Sequence, residues 1–380
     1  MVRPTFARID LDALSSNYLV LREFVTRGSP DTPPAIIAVV KANAYGHGLV
    51  PTGRALEAAG ATMLACADIE EGVELREGGI GIPILVFGAL SISNLNGVFD
   101  NDLTPTVSSP SAAAALQSAA ASRDVRLRCH LKIDTGMNRF GFRYDNLSRT
   151  IPDVLACEHL RFDAVYTHFA TADEPEGSLF EAQRARFLTA LDTLAALGLG
   201  PVTKHAANSS GLLGDRGVWY QAVRPGLLLY GVTPLRLELP TGLVLRPVMS
   251  LRSRVVAVKG VRAGETAGYG AGFTAARATR VAIVPAGYAD GLDVRLAGRG
   301  HVLIGGRPAA IVGSVCMDSI TVDVTDLDVN PGDEVAVIGE QGDARVDATD
   351  VARWIGTKPH EVLCRTGTRI KRVYTAESPA

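Results

Sequence analysis

The sequence lacks the features of a membrane-bound, secreted or nucleic-acid-binding protein. No apolar run approaches the roughly 20 residues of a membrane span, and the segment after Met1 has no continuous apolar stretch of the secretory type. The formal net charge is only −2, and no basic stripe is present that could follow a phosphate backbone. We therefore expect a cytoplasmic protein whose partners include neither a membrane nor a nucleic acid.

Cysteine is also scarce. The chain has five cysteines, and none of them forms a CxxC pair. An odd and scattered set fits neither a disulfide framework nor a zinc site. We therefore expect no metal ion and reduced, mostly buried thiols at Cys66, Cys129, Cys157, Cys316 and Cys364.

Apolar residues, by contrast, are abundant enough for a large core. The 380 residues are 47% hydrophobic and 21% charged, which is typical of an ordinary folded protein. The length exceeds that of a usual single domain and predicts two. We expect a barrel domain over 11–243, a β domain over 244–380, and an N-terminal strand within 1–10 that joins the β domain.

Short apolar runs alternate with helical or loop segments through the first domain. Segments such as 53–59, 112–121 and 181–197 have the composition or apolar spacing of helices. Eight alternating units predict a closed (β/α)₈ barrel, because closure removes exposed sheet edges; an open α/β sheet with fewer strands is the alternative. The predicted strands are 35–40, 63–66, 82–87, 103–107, 127–133, 162–167, 202–206 and 227–230.

The second domain has a different pattern. From about Leu243 the helical period disappears, and alternating segments rich in β-branched residues take over, separated by turns that contain glycine and aspartate. This pattern predicts a mainly antiparallel β domain. Its predicted strands lie at 249–258, 280–284, 302–304, 309–312, 320–324 and 334–338.

Lys41 stands directly after the first predicted barrel strand and before a small, glycine-rich turn. A lysine at a strand end more often reaches solvent along its aliphatic stem. In a barrel, however, the carboxyl ends of the strands carry the active site, and a desolvated lysine there has the lowered pKa that Schiff-base chemistry needs. Lys41 is therefore a candidate catalytic residue.

Other polar residues accompany later strands and would share the same rim of the barrel. Each could be structural when taken singly, but several together indicate an active site. They are Arg139, His168, Asn208, Ser209 and Arg224.

Ser209 and the backbone of Gly226 and Leu227 fall where barrels commonly bind a phosphate group. A phosphate site next to a strand-end lysine suggests a phosphorylated aldehyde. Pyridoxal 5′-phosphate is the candidate cofactor.

Eight segments resemble motifs of the alanine racemase family, and the resemblance spans nearly the entire chain. It implies a barrel followed by a β domain, and a homodimer whose active sites lie at the subunit interface. It also implies interconversion of L- and D-alanine with pyridoxal phosphate, which would supply D-alanine, for example for peptidoglycan. The segments are VVKANAYGHG (39–48), LKIDTGMNRFG (131–141), HFATAD (168–173), HAANSSG (205–211), RPGLLLYG (224–231), AGYGAGF (267–273), PAGYADG (285–291) and VCMD (315–318).

The resemblance implies two catalytic bases. Lys41 would form the Schiff base with the cofactor and act on the D-enantiomer, and the partner subunit's Tyr269 would act on the L-enantiomer. Racemisation needs bases on opposite faces, because a single base tends to return the proton to its original side. His168 would hydrogen-bond Tyr269 and ease its deprotonation, since a tyrosine pKa is ordinarily near 10.

The resemblance also implies which residues surround the cofactor and the substrate. Arg224 would face the pyridine nitrogen and leave it unprotonated, because a guanidinium does not readily give up a proton. Lys132 matches a position that is often N-carbamylated in the family and would then orient Arg139, while Tyr288 would line the access channel. The cofactor would be held by Tyr45, His168, Asn208, Ser209, Gly226 and Leu227, and the substrate would be contacted by Arg139, Met317 and Asp318.

The chain departs from the family pattern near its end. Many relatives have a tyrosine that contacts the phosphate and lines the channel, whereas Thr368 stands at the nearest position here. A threonine hydroxyl reaches less far, and Tyr374 is the other candidate for that role.

Three alternatives stay open on sequence alone. An amino-acid decarboxylase shares the domain plan but has a cysteine-bearing segment where this chain has Tyr269. A non-catalytic pyridoxal-phosphate carrier has the barrel without a β domain. A serine or broad-specificity racemase differs only in the pocket, where a methyl-sized change is worth about 1–3 kcal/mol.

Overall fold

A closed barrel of parallel strands followed by a mostly antiparallel sheet makes up the chain, which confirms the predicted fold class. This computed structural model describes residues 3–88, 95–174 and 176–375. Within those ranges, none of the helices combines the length and the apolar character needed to cross a membrane.

The first strand and helix illustrate how local sequence sets the elements. Strand β1, Phe6–Asp10, leads into helix α1, Leu11–Gly28, where the Asp10 carboxylate accepts the Ala13 N–H at 2.8 Å and caps the helix. Apolar side chains at three- and four-residue spacing make its buried face. They include Leu14, Tyr18, Leu21 and Val25.

Eight parallel strands close the barrel in the described part of the chain. They pair in chain order, and the last pairs with the first to complete the circle. The short β7 pairs with β6 beside the barrel. The strands are β2 Ala35–Val39, β3 Met63–Cys66, β4 Ile84–Val86, β5 Leu103–Val107, β6 Leu127–Asp134, β7 Phe142–Arg143, β8 Leu160–Tyr166, β9 Thr203–Asn208 and β10 Ala222–Arg224.

Helices connect these strands, including the predicted segments at 53–59, 112–121 and 181–197. Several short 3₁₀ helices add to them over both domains: Arg216–Val218, Leu227–Tyr230, Tyr269–Ala271, Tyr288–Asp290 and Val294–Leu296. The α-helices of the barrel after α1 are α2 Lys41–Tyr45, α3 Leu49–Ala58, α4 Ile69–Glu77, α5 Asn96–Asp100, α6 Pro110–Ala121, α7 Leu147–Thr150, α8 Pro152–Leu155, α9 Ser178–Ala196 and α10 Ser209–Gly214.

The eighth barrel strand lies earlier than predicted. The segment Leu227–Tyr230 forms a 3₁₀ helix, and the strand is β10, which ends at Arg224 before Pro225 and Gly226. The predicted run is apolar because its side chains are buried in the core, and a short apolar run does not distinguish a strand from a helical segment. Arg224 is therefore the last residue of a strand.

The second sheet joins both ends of the chain. β1 pairs antiparallel with β11 and parallel with β21, and the other pairings in this sheet are antiparallel. The predicted strand at 249–258 is two strands, because β11 pairs with β1 and β19 whereas β12 pairs with β15. β13, Thr266–Ala267, and β14, Phe273–Thr274, form a separate two-stranded sheet. Besides β1, the strands of the second sheet are β11 Met249–Arg254, β12 Ala257–Val261, β15 Thr279–Val284, β16 His301–Ile304, β17 Arg307–Val312, β18 Ile320–Asp323, β19 Glu334–Gln341, β20 Ala344–Val346 and β21 Lys371–Thr375.

Two helices in the second domain contradict the expectation that helical periodicity ends near Leu243. α11, Ala348–Ile355, begins with a capping box of Asp347 and Asp350, and α12 spans Pro359–Cys364. Both are short, so their period is easily lost among the surrounding strands. The domain boundaries at 10/11 and 243/244 stay a prediction.

The cysteine side chains are all free thiols, but their burial differs from expectation. Cys66 and Cys129 are buried, while Cys157 and Cys316 are half-buried. Cys364 is exposed at the end of α12, so the prediction of mostly buried thiols is wrong.

Candidate active site

Lys41 follows β2 at the carboxyl end of the barrel and opens a left-handed turn. The next four residues, Ala42 to Tyr45, have φ angles between 52° and 57°. Each non-glycine residue in this conformation costs roughly 1–2 kcal/mol. Four in succession persist only because the surrounding structure holds them.

Hydrogen bonds from distant elements hold the turn. The Asn43 side chain accepts the Leu49 N–H at 2.8 Å, and the Glu71 carboxylate of α4 accepts the Asn43 N–H at 2.8 Å. From β21, Arg372 Nε donates to the Gly46 carbonyl at 2.8 Å. The position of Lys41 therefore depends on residues far away in the sequence.

The Lys41 amine lies in an environment that disfavours its charge. Burial lowers the Lys41 pKa, and the nearby Arg139 guanidinium lowers it further. Cys364 and Glu71 act in the opposite direction. The lowered pKa favours the neutral amine, which is the nucleophilic form.

Tyr45, Ser209 and Gly226 meet beside this turn. Ser209 Oγ accepts the N–H of Gly226 at 2.9 Å and that of Leu228 at 3.4 Å. A Cβ on Gly226 would collide with Tyr45 Oη, so glycine is needed there for close approach. Leu227 begins the 3₁₀ helix, and the first amides of a helix lack partners within it. Hydroxyl and amide groups are thus concentrated in one place, as an anion requires.

Asn208, which was predicted to contact the cofactor, also has a structural role. Its Oδ1 accepts the Gly211 N–H at 2.9 Å and caps α10. The side-chain oxygen is therefore engaged within the fold.

Arg224 is the last residue of β10, and its guanidinium is buried. Its Nη2 donates to the carbonyls of Thr167 and Ala206, both at 2.9 Å, and Nη1 lies 2.8 Å from His205 Nδ1. Burial lowers the Arg224 pKa only to about 10, so the group stays charged at neutral pH and acts only as a donor.

Two histidines behind Arg224 were missed by sequence reasoning. Because Arg224 can only donate, His205 Nδ1 must accept, and His205 Nε2 then donates to His130 Nδ1 at 3.1 Å. Burial lowers the pKa of both imidazoles, that of His130 to about 4, so both are neutral. The sequence contains one indication of them. His130 and Lys132 occupy alternate positions of β6, and residues at alternate positions of a barrel strand face the same side, so this pattern is typical of a polar barrel interior.

Tyr166 supports the same centre and was also missed. Its ring stacks on His205 with centroids 4.7 Å apart and an interplanar angle of 12°, and Arg224 lies over it at 5.2 Å. Its hydroxyl is 3.0 Å from Thr106 Oγ1. Burial raises the Tyr166 pKa to about 12, so the phenol remains protonated.

Lys132, Arg139 and His168 line one small pocket together with Phe140. Burial and, second to it, the Arg139 guanidinium lower the Lys132 pKa to about 8. The His168 pKa also lies well below its usual value. Burial is the main cause, and the charge of Arg224 contributes in the same direction. Neutral His168 can accept from Arg224 Nη2 at 3.4 Å through Nδ1.

Tyr269 belongs to the second domain and lies between β13 and β14. It is 81% exposed, and its carbonyl accepts a hydrogen bond from Ser314 Oγ at 2.7 Å. One chain by itself does not enclose the Tyr269 side chain.

Met317, Asp318 and Tyr288 also lie in the second domain. Arg369 Nη1 donates to Asp318 Oδ1 at 2.7 Å, and Arg369 Nη2 donates to the Met317 carbonyl at 3.2 Å. The Tyr288 N–H donates to the Cys316 carbonyl at 2.9 Å, and the Tyr288 side chain is 44% exposed. Asp318 is therefore already paired within its own domain.

Of the two C-terminal candidates, Tyr374 is the one that reaches the Lys41 turn. A Cβ on Gly48 would collide with Tyr374 Oη. Thr368 is exposed in the turn that precedes β21.

Comparison with known sequences decides the family. The alanine racemase N-terminal domain matches residues 9–234, and the alanine racemase C-terminal domain matches residues 248–374. The chain belongs to the alanine racemase family. An alanine racemase of Halothermothrix orenii is 39% identical over 375 residues, which cover 98% of this chain and 97% of the relative. The predicted enzyme class, an amino-acid racemase, is confirmed at the level of the family.

Solved structures of racemases agree over the full length. Alanine racemase from D-cycloserine-producing Streptomyces lavendulae is 34% identical, with a TM-score of 0.93 over 99% of this chain and 98% of that one. Alanine racemase from Bartonella henselae, solved with covalently bound pyridoxal phosphate, is 29% identical, with a TM-score of 0.85 over 98% and 99%. The match to both racemase domains argues against the decarboxylase and the carrier.

Proposed function

We propose that this member of the racemase family interconverts L- and D-alanine with pyridoxal 5′-phosphate held covalently by Lys41. The observation that carries the proposal is the half-buried Lys41 side chain, with its lowered pKa, at the barrel rim that also holds Tyr45, Ser209 and Gly226. The racemase of Bartonella henselae with covalently bound pyridoxal phosphate supports the same cofactor.

The residues of the barrel rim fit this cofactor. The amides of Gly226 and Leu227 and the hydroxyls of Tyr45 and Ser209 would hold the phosphate. Arg224 would face the ring nitrogen as a donor and leave it unprotonated, because its own pKa stays at about 10. When bound, the cofactor withdraws electrons and makes the Cα proton of the attached amino acid more acidic.

Two bases on opposite sides would move that proton. The Lys41 amine would serve the D-enantiomer, and the partner subunit's Tyr269 would serve the L-enantiomer, with His168 as its hydrogen-bond partner. Tyr269 is 81% exposed on its hairpin, which leaves it accessible to a second copy of the chain. This arrangement requires a homodimer with shared active sites.

Lys132 and Arg139 would serve the substrate carboxylate. Lys132 and Arg139 share a pocket that Asp134 also lines. The Asp134 carboxylate already accepts hydrogen bonds from three loop amides, those of Gly136, Met137 and Asn138. A Lys132 pKa of about 8 leaves part of the amine neutral near pH 7–8, as reaction with carbon dioxide requires. N-carbamylation would convert Lys132 into an anion that orients Arg139 toward the substrate. Met317 and Asp318 of the second domain would contact the substrate as well.

The proposed setting is the cytoplasm, where the product D-alanine would be available for peptidoglycan.

A serine or broad-specificity racemase is the alternative. Incubation with separate L-amino acids in deuterated water, followed by assay of D-product and Cα deuteration, distinguishes the two. We expect alanine to react fastest; preferential turnover of serine would replace the proposal.

Replacement of Lys41 tests covalent attachment of the cofactor. In Lys41→Ala, the absorption band of the protein-bound cofactor should be lost, because the amine proposed to hold the cofactor covalently is removed. Lys259→Ala, an exposed lysine of β12, is the control and should keep the band. An unchanged spectrum in Lys41→Ala would remove the central claim.

A further inference from the structure

The Glu71 carboxylate joins the ends of two neighbouring barrel strands. Oε1 accepts the Asn43 N–H of the left-handed turn after β2, and Oε2 accepts the Ala67 N–H just after β3, both at 2.8 Å. Burial raises the Glu71 pKa, whereas the amides of Ala67, Asn43 and Ala42 lower it by favouring the ionised carboxylate. A half-buried side chain of α4 thus contacts the segment that carries Lys41.

The ordinary role of a glutamate at this place explains only one of these bonds. Asp68 caps α4 by accepting the Glu71 N–H at 2.9 Å, and a glutamate at this third helical position usually reaches back to the capping residue. The bond to Ala67 is of that local type. The bond to Asn43 crosses 28 residues and adds nothing to the cap.

The second bond matters because of where it meets the turn. The first amides of any helical turn lack partners inside it, and here these amides belong to Ala42 and Asn43. Charge-assisted hydrogen bonds to a carboxylate are stronger than neutral ones. Lys41 directly precedes these amides and Tyr45 ends the turn, so a shift of the turn would move both.

We propose that Glu71 is a positioning residue that caps the left-handed turn 42–45 and thereby places Lys41 and Tyr45 for the cofactor. The inference rests on the proposed function, in which these two residues hold pyridoxal phosphate. Glu71 itself touches neither cofactor nor substrate in this assignment and acts through the turn.

The chain offers a matched control. Glu57 is also half-buried, and its Oε1 accepts the N–H groups of Gly81 and Ile82 at 2.8 and 3.0 Å. These amides precede β4, at the opposite end of the barrel from Lys41. Glu57→Gln therefore removes one negative charge from a carboxylate that likewise accepts two backbone N–H groups, but outside the site.

The first measurement is native-state hydrogen exchange of the cofactor-free protein. In Glu71→Gln, amides of residues 42–48 should exchange about tenfold faster or more, because a hydrogen bond to a charged group is lost. Glu57→Gln should leave that segment unchanged. Equal protection of the segment in Glu71→Gln and the parent protein would overturn the proposal.

The second measurement is titration of the cofactor-free proteins with pyridoxal phosphate, followed by absorption and circular dichroism. We expect about tenfold weaker binding for Glu71→Gln, a smaller loss for Glu71→Asp, and parental binding for Glu57→Gln. Equal weakening in Glu71→Gln and Glu57→Gln would assign Glu71 a general structural role and overturn the proposal. Failure of the parent protein to bind would refute the proposed function, while exchange would still test the cap.

Discussion

The two proposed bases have opposite surroundings at the level of single residues. Lys41 is partly enclosed, and burial lowers its pKa. Tyr269 is 81% exposed on a hairpin of the other domain. One chain therefore already encloses part of the Lys41 side chain, whereas a partner must cover Tyr269 before it can act in a dry site.

Removal of the Tyr269 hydroxyl should separate the two proton transfers. In Tyr269→Phe, racemisation should fall by about 10²-fold or more. D-alanine should still exchange its Cα proton with deuterated water, because Lys41 remains, while exchange of L-alanine should be lost. Proton NMR with chiral chromatography measures both. Tyr144→Phe serves as control, because Tyr144 is a half-buried tyrosine whose ring lies under Arg186. Equal exchange loss for both enantiomers would contradict a dedicated tyrosine base.

At the level of elements, the proposed phosphate cradle, formed by Tyr45, Ser209, Gly226 and Leu227, is built from short segments. The left-handed turn supplies Tyr45, the start of α10 supplies Ser209, and the 3₁₀ helix supplies its first amides. Their close approach depends on Gly226, since a Cβ there would collide with Tyr45 Oη.

Alanine at position 226 should therefore weaken the cradle. Gly226→Ala forces Tyr45 to move and should destabilise the chain by about 1–3 kcal/mol, as overpacking does, with weaker binding of pyridoxal phosphate. Gly200→Ala is the control, because a Cβ there meets no atom within 4 Å. Thermal unfolding and cofactor titration measure the two effects. Parental binding by Gly226→Ala would show that the cradle does not hold the phosphate.

At the scale of the whole molecule, the predicted site residues form two groups. Lys41, Arg139 and Arg224 lie at the barrel rim, whereas Tyr269 and Asp318 lie in the second domain. A two-fold symmetric pairing of two chains would bring the rim residues of each chain to the second-domain residues of its partner. Such pairing gives two equivalent sites per dimer.

Mixing two inactive variants tests the shared site. Hybrid dimers of Lys41→Ala and Tyr269→Ala chains should contain one intact site, so random mixing should restore roughly a quarter of the parental activity. The mixture is assayed after subunit exchange, with each variant alone as control. No recovery despite proven exchange would favour sites within single chains.

Buried histidines should make the whole chain sensitive to mild acid. Burial lowers the pKa of His47 and His130 to about 4, below the usual 6.5. Between these values the unfolded chain binds more protons, so the free energy of unfolding falls as the pH drops from about 6.5 to 4. The loss is about 3 kcal/mol per histidine.

Urea unfolding between pH 7.5 and 4.5 measures this dependence. His47→Phe, which keeps an aromatic ring against Tyr230, should show a shallower loss of stability through that window, whatever its stability at pH 7.5. An unchanged pH dependence would show that His47 is not the titrating group.

The sequence by itself determined the barrel, the β domain and most residues of the rim. Apolar alternation is a local property, so strands such as Met63–Cys66 and Leu103–Val107 were predicted with their observed bounds. It did not distinguish the buried 3₁₀ helix Leu227–Tyr230 from a strand, because both are simply apolar. Likewise, His205 stood in a quoted motif, but its bond to Arg224 depends on two strands that meet in space.

Only the tertiary structure decided the conformation and use of several site residues. Of Ala42, Asn43, Ala44 and Tyr45, only Asn43 adopts the left-handed conformation comparatively readily. Contacts from Glu71 and Arg372 hold the whole turn in it. The exposure of Tyr269 between β13 and β14 is equally a matter of tertiary structure, since no local pattern in the sequence indicates which side chains other parts of the chain will cover. Local patterns determine which elements form, whereas long-range contacts determine where their side chains meet.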